Sequence, residues 1–255
     1  MIPDRLLPYV RSVSDLQSQA RKVDWPTLLL SASVAYERPA PTHLNPLEQT
    51  AFRHASEAYL RDLQPARIRS AVVELTRTAL GHGWRLAFGA HPAISPMVLV
   101  AARDMHSPAG SVLIYQSRFF ERQLPNSTLE LAAWEGGGWL VMTDACDGPT
   151  ESARRDASLT LMREAMAHTP GLRGTAFIGG MQGVEEEAGL LALLRPELPR
   201  YTIASTGSAA RRLWEEHRHA FGTSRVGQTV LEHHPAYSVV ARRIFDDLTD
   251  GGQQD

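Results

Sequence analysis

Three consecutive carboxylates, Glu185, Glu186 and Glu187, stand just after a glycine-rich run, Gly179-Gly180-Met181-Gln182-Gly183. An apolar strand ending in paired glycines lets a ligand approach the backbone closely. The helix that follows offers unpaired N–H groups and the positive end of its dipole. Phosphate-bearing ligands favour such a place. Carboxylates facing an anion would repel it, so at least one glutamate is expected to point at a sugar hydroxyl or a reacting carbon. The alternative is that all three are acids placed to favour a helix N-terminus. His91, in the run Gly89-Ala90-His91-Pro92, could donate to phosphate or transfer a proton near neutral pH, or it could order its own loop. Arg163 stands beside the apolar row Leu159, Met162 and Met166, and its guanidinium could pair a phosphate bidentately. Arg154 and Arg155 precede it. For all three arginines, solvated surface charge is the competing reading.

The elements that must position these residues alternate between strand and helix. Residues 27–33 form a short apolar run ending in Ser31-Ala32-Ser33, as a buried strand running into a small-residue loop would. Residues 47–80 have helical periodicity, divided by Pro65, with Ile68, Val72, Leu75 and Ala79 forming the second stripe. Strands are expected at 85–89, 111–116, 174–178 and 201–205, with a further one at 139–143 in the less regular stretch 125–148. Helices are expected at 97–105, 152–168 and 184–194. Residues 6–23 read as an amphipathic helix or pair of turns, residues 37–46 as a proline-punctuated connection, and residues 246–255 as a frayed polar tail. The resulting division is an N-terminal helical extension (1–25), one α/β domain (26–248) and a disordered tail (249–255). This pattern predicts a Rossmann-like three-layer α/β sandwich with a mainly parallel sheet and ligands outside the carboxyl ends of its strands. Four expected strand ends finish in small or polar residues: Ser31 to Ser33, Gly89 to Pro92, Gly179-Gly180, and Ser205-Thr206-Gly207. One crevice could collect them all.

With 255 residues, 43% hydrophobic, the chain can bury a sizeable core. A formal net charge of -2 gives no electrostatic reason to propose a nucleic-acid surface. The single Cys146 excludes an intramolecular disulfide or a cysteine zinc cage and suits a reducing, cytoplasmic compartment. No secretory leader is visible. The apolar run near the start is far short of the about 20 residues a bilayer span needs, so no membrane association is expected. His217, His219, His233 and His234 lack a zinc-protease spacing, and no metal or cofactor is expected. Gly-x-Ser-x-Gly, a Walker loop and Gly-x-Gly-x-x-Gly are all missing. Trp25, Trp84, Trp134, Trp139 and Trp214 are scattered and read as core or rim packing.

Taken together, Leu28 to Ser33, Phe88 to Pro96, Arg154 to Met166, Phe177 to Glu187 and Ala204 to Ala210 resemble the SLOG superfamily, over about residues 26 to 245. This Rossmann-like group includes the Lonely Guy phosphoribohydrolases, DprA-type proteins and nucleotide-sensing domains of bacterial antiviral systems. In the Lonely Guy enzymes, Met-x-x-Arg-Lys on a helix and Pro-Gly-Gly-x-Gly-Thr-x-x-Glu serve N-glycosidic bond cleavage in a nucleoside monophosphate. Leu161-Met162-Arg163-Glu164-Ala165-Met166 resembles the first element and puts Arg163 in the arginine's place. In the second, Ile178 replaces proline, an extra residue separates Gly180 from Gly183, Val184 replaces threonine, and Glu187 or Glu186 falls at the catalytic acid. The fuller string looks more like the branch found beside TIR and sirtuin-type effectors. That resemblance implies a pocket for an NAD-derived or cyclic ADP-ribose-type signal.

The strand ends and the resemblance together give the ligand-binding positions as Ser31, Ser33, Gly89, His91, Pro92, Ser95, Gln116, Ser117, Arg155, Arg163, Gly179, Gly180, Met181, Gly183, Glu187, Thr206 and Gly207. Two functions remain open at this point. One is a stand-alone sensor or scavenger in antiphage defence that binds a nucleotide-derived molecule, forms a homo-oligomer and is partnered by a separate effector protein. The other is a nucleotide N-glycosidase in which Arg163, Glu186 and Glu187 are catalytic. A third reading keeps the fold without a working pocket.

Overall fold

A computed structural model of the protein describes residues 10–20, 25–34, 46–133, 138–218 and 226–250. The described residues form a seven-stranded, all-parallel sheet covered by helices. The chain opens with β1 (Val10–Ser12) and α1 (Val13–Ala20), so the segment expected to be helical or turn-like also supplies a strand. Val10, Arg11 and Ser12 pair with Leu140, Val141 and Met142. Three residues are too few to show an alternation in sequence. β2 (Thr27–Ser33) leads to α2 (Pro46–Leu60), α3 (Pro65–Gly81) and β3 (Arg85–Gly89). Then come α4 (Ser95–Asp104), β4 (Val112–Ser117), a 3₁₀ turn (Arg118–Gln123), α5 (Asn126–Ala132) and β5 (Trp139–Thr143). The second half runs α6 (Glu151–Ala167), β6 (Leu172–Gly179), α7 (Gln182–Leu194) and β7 (Arg200–Ile203). It ends with a 3₁₀ turn (Ala204–Thr206), α8 (Ser208–His217), α9 (Gln228–His233) and α10 (Tyr237–Asp250).

The central strands are buried on both faces, which explains their unbroken apolar runs: Leu28 to Leu30, Val112 to Tyr115 and Ala176 to Ile178 are all buried. Pro65 starts α3 at a position whose N–H has no helical partner, and Ile68, Ala71, Val72, Leu75 and Ala79 form its buried stripe. The strand expected through residue 205 stops at Ile203, because Ala204–Thr206 tightens into the 3₁₀ turn. α10 extends through Asp250, so residues 246–250 are helical rather than frayed. The Tyr201 hydroxyl donates to buried Asp247, and Leu248 packs against Gly174, where a Cβ would come within 2.7 Å of it. No helix among the described residues is long and apolar enough to cross a membrane.

Strand order is β1-β5-β4-β3-β2-β6-β7. From β2 the chain steps through β3 and β4 to β5 in one direction. It then crosses back to β6 and steps to β7 in the other. Right-handed crossovers accordingly put α3, α4 and α5 on one face and α6 and α7 on the other. The reversal falls between neighbours β2 and β6, and this is the topological switch point where open α/β sheets form their ligand crevice.

Candidate functional site

The last residues of the two switch strands, Ser33 and Gly179, are register partners, so the loops leaving β2 and β6 start side by side. Gly179 has φ +55° and Gly180 φ +92°. A Cβ on Gly179 would stand 2.4 Å from Ile68 Cδ1, and one on Gly180 would stand 2.3 Å from Val184 Cγ2. Only glycine fits this close turn, which brings α7 down beside β2. Above it lies a cleft of about 730 Å³, walled by β2, β3, α6, α7 and the end of α2. That size is in the range of small-molecule sites.

α7 distributes the three glutamates by its 100° step per residue. Glu185 turns away toward α2 and α8, where Tyr59 Oη donates to its Oε2 at 2.7 Å and Arg212 Nε lies 3.2 Å from its Oε1. Burial and the Glu185 carboxylate both push the Tyr59 hydroxyl pKa upward. Glu186 stands at the cleft rim, 43% exposed, with Arg163 Nη1 2.7 Å from its Oε2 and Gln182 Nε2 donating to its Oε1. Glu187 points inward, 16% exposed, and accepts from Ser31 Oγ at 2.6 Å. Its other oxygen is 3.7 Å from Arg163 Nε, an ion-pair distance too long for a hydrogen bond. Arg163 Nε is buried without a hydrogen-bond partner. Burial raises the Glu187 carboxyl above its ordinary pKa, against the Ser31 hydrogen bond and the Arg163 charge.

Arg155, Leu159 and Arg163 recur along the face of α6 that lines the cleft, and Thr150 caps that helix by accepting from the Ala153 N–H at 3.1 Å. Arg163 itself is 13% exposed, while Arg155 is 55% exposed and pairs with Asp156 at 3.1 Å. His91 lines the cleft at the end of β3, and its Nδ1 accepts from the Ala93 N–H, which puts the ring proton of a neutral imidazole on Nε2. Among the described lining residues, the guanidiniums of Arg155 and Arg163 meet three carboxylates, Asp156, Glu186 and Glu187. The arginines are therefore already partnered by carboxylates, unlike the open phosphate clamp their spacing suggests.

Of the positions expected to bind ligand, Ser33, Gly89, His91, Arg155, Arg163, Met181, Gly183 and Glu187 line the cleft, as does Glu186. Ser31 lies beneath Glu187, and Gly179 and Gly180 form the turn under α7. Ser95 and Pro92 lie off the cleft wall; Ser95 Oγ accepts from the His91 N–H and holds that loop. Ser117 Oγ accepts from the Phe119 N–H to cap the 3₁₀ turn, and Gln116 accepts from the Ser117 N–H. Thr206 is fully buried, accepting from the Gly179 N–H and donating to Ile203 O. A Cβ on Gly207 would lie 2.1 Å from Asp62 O, so this glycine lets the α2–α3 corner approach. Arg154 lies with its guanidinium 5.9 Å from the Phe119 ring. Among the described residues no three His, Cys, Asp or Glu side chains converge to hold a metal ion. His219 and Trp134 lie outside the described residues.

Wall residues not expected from the sequence include Ser56 and Tyr59 from α2, Phe120, and Asp156 and Thr160 from α6. Phe119-Phe120 directly after a strand end was the available sign, since aromatics there must lie near the crevice. α2 offered only helical periodicity. No match was found among curated proteins. A family model described as the SLOG cluster3 family matches residues 58–233, which carry the β3 and β6 strand ends, Arg163 and the three glutamates, while Ser31 and Ser33 precede the match. The chain belongs to the SLOG cluster3 family.

Proposed function

We propose that the cleft binds a nucleotide-derived small molecule of the NAD-derived or cyclic ADP-ribose type, and that the protein acts as a sensor or scavenger of it in bacterial antiphage defence. One observation carries the reading: at the switch point, the buried Glu187 carboxylate is held by Ser31 and faced by Arg163, inside a cleft of ligand size. A carboxylate so fixed accepts hydrogen bonds from a ribose diol. The backbone where α7 begins, Met181 to Gly183, and the His91 loop serve the phosphate, because the guanidiniums are engaged by carboxylates. The family and the resemblance to the effector-associated branch support a signal ligand. Self-association and a separate effector protein would carry the readout.

The burial-raised pKa of Glu187 favours a second reading, N-glycosidic hydrolysis, since proton transfer to a leaving base works best from a carboxyl titrating closer to neutrality. Incubating the protein with AMP, NAD and ADP-ribose, following melting temperature and resolving products chromatographically, separates the two. Binding expects a raised melting temperature with ligand recovered intact. Free base that disappears in Glu187→Gln establishes turnover. If no nucleotide at millimolar concentration stabilises the fold, both readings fall.

A further inference from the structure

The cleft is long, and its two ends differ chemically. Arg163 and Arg155 mark them on α6, eight residues and about 12 Å apart along the helix axis. Across the sheet, β2 and β4 are two strand spacings apart, about 10 Å. At the β2 end are Glu187, Ser31 and Arg163. At the β4 end Phe120 lines the cleft, as does Arg155 from the first turns of α6. Phe120 is half-buried and braced edge-on by Phe119, ring centroids 4.9 Å apart at 72°, and Phe119 in turn carries the Arg154 guanidinium at 5.9 Å. A braced aromatic in a cleft wall beside a cation suits a nucleobase, whose π-face stacks without needing directional hydrogen bonds. Between the ends lie Gly89 and His91, at the end of β3, while the start of α7 at Gln182–Gly183 adjoins Arg163 at the β2 end.

We infer that Phe120, with Arg155, forms a second subsite that stacks a nucleobase, so that the cleft prefers two-headed ligands, a base and a distant ribose joined by a phosphate bridge, over mononucleotides. This rests on the reading of Glu187 as the ribose-holding group. A base attached directly to the sugar at Glu187 is one glycosidic bond from it and falls short of Phe120. A phosphate-bridged second nucleoside covers the distance and lays its bridge past Gly89 and the His91 loop at the end of β3, the strand between them.

The test is calorimetric titration of the full chain with ADP-ribose and with ribose 5-phosphate. Wild type is expected to bind ADP-ribose more tightly. Phe120→Ala is expected to weaken ADP-ribose about 10-fold or more, the scale of one stacked base, and ribose 5-phosphate less than about twofold. Phe120→Leu, which keeps apolar bulk, should lose as much, whereas Phe120→Tyr should retain binding; melting curves verify that each variant folds. The inference is overturned if Phe120→Ala weakens both ligands equally or neither. If wild type binds both ligands equally well, the second subsite falls and the nucleotide reading stands. If wild type binds neither, both fall.

Discussion

Gly180→Ala tests the turn on which the whole site depends. Gly180 has φ +92°, and an added Cβ would sit 2.3 Å from Val184 Cγ2 and 2.9 Å from Val184 Cβ. Carbon atoms pack at about 3.5–4.0 Å, so one of the two must retreat by more than an ångström. Val184 cannot swing away cheaply: it is 3% exposed, β-branched and in the first turn of α7. The left-handed backbone costs an L-residue about 1–2 kcal/mol and overpacking about 1–3 kcal/mol, giving about 2–5 kcal/mol in all. For a domain of this size that lowers the melting temperature by about 4–20 °C. In a Val184→Ala background the 2.3 Å contact is removed while the 2.9 Å contact to the retained Cβ stays, so the cost falls toward, but not to, the about 1–2 kcal/mol of the backbone part. Urea and thermal unfolding of the four proteins of this cycle give the coupling directly. Equal costs of Gly180→Ala in both backgrounds, or a single variant melting within about 2 °C of wild type, would refute the reasoning.

Arg163→Ala should abolish cleft binding and destabilise the fold by about 2 kcal/mol, less than the about 3–5 kcal/mol for a sealed pair because the cleft admits water. Its charge is one of the influences lowering the Glu187 pKa, so without it the folded state keeps that proton to higher pH. The loss should be larger at pH 8 than at pH 5 in pH-resolved melts. For Glu187 the folded pKa is raised above the unfolded 4.5, so folding binds a proton in that window and stability falls as pH rises through it. Glu187→Gln should erase that component and leave stability at pH 8 equal or higher while ligand binding disappears; a variant that loses stability at pH 8 contradicts the assignment. Tyr59→Phe removes the 2.7 Å hydrogen bond to Glu185 and should cost about 1–2 kcal/mol by urea unfolding, with Arg212 still neutralising the carboxylate.

The sheet was readable because a parallel strand buried on both faces must be continuously apolar, as Leu28 to Leu30 and Phe177-Ile178 are. β1 was not, since Val10–Ser12 is an edge strand held by pairing to β5 rather than by any pattern of its own. Small residues at strand ends pointed to the crevice for a sound reason: backbones approach each other there. The same reason explains why they did not all line it. Thr206 and Gly207 are small because they tie the β6 turn and the α2–α3 corner together, and Ser117 because it caps a 3₁₀ turn. A sequence shows that a position needs a small residue, not which neighbour needs the space. The role of Glu185 was hidden for another reason, since its partner Tyr59 lies 126 positions away on a helix with no signal beyond its period.

The glutamate run puts opposing demands on one helix turn, and α7 meets them by direction. Glu185 ties α7 to α2 and α8, Glu186 holds Arg163 from the rim, and Glu187 enters the cleft. Because Glu186 takes the closest grip on Arg163, 2.7 Å against 3.7 Å to Glu187, the guanidinium can orient Glu187 without locking it. Glu187 thereby keeps hydrogen-bonding capacity for a sugar hydroxyl. Three carboxylates against two guanidiniums also leave the cleft walls poorly suited to recognising bare phosphate through charge. On the proposed nucleotide reading, affinity would then come from ribose hydroxyls on Glu187, backbone N–H groups at the start of α7 and apolar contact along Leu159, Met181 and Phe120. On the proposed reading, a site so composed would select a nucleoside's sugar and base first and tolerate its phosphate second.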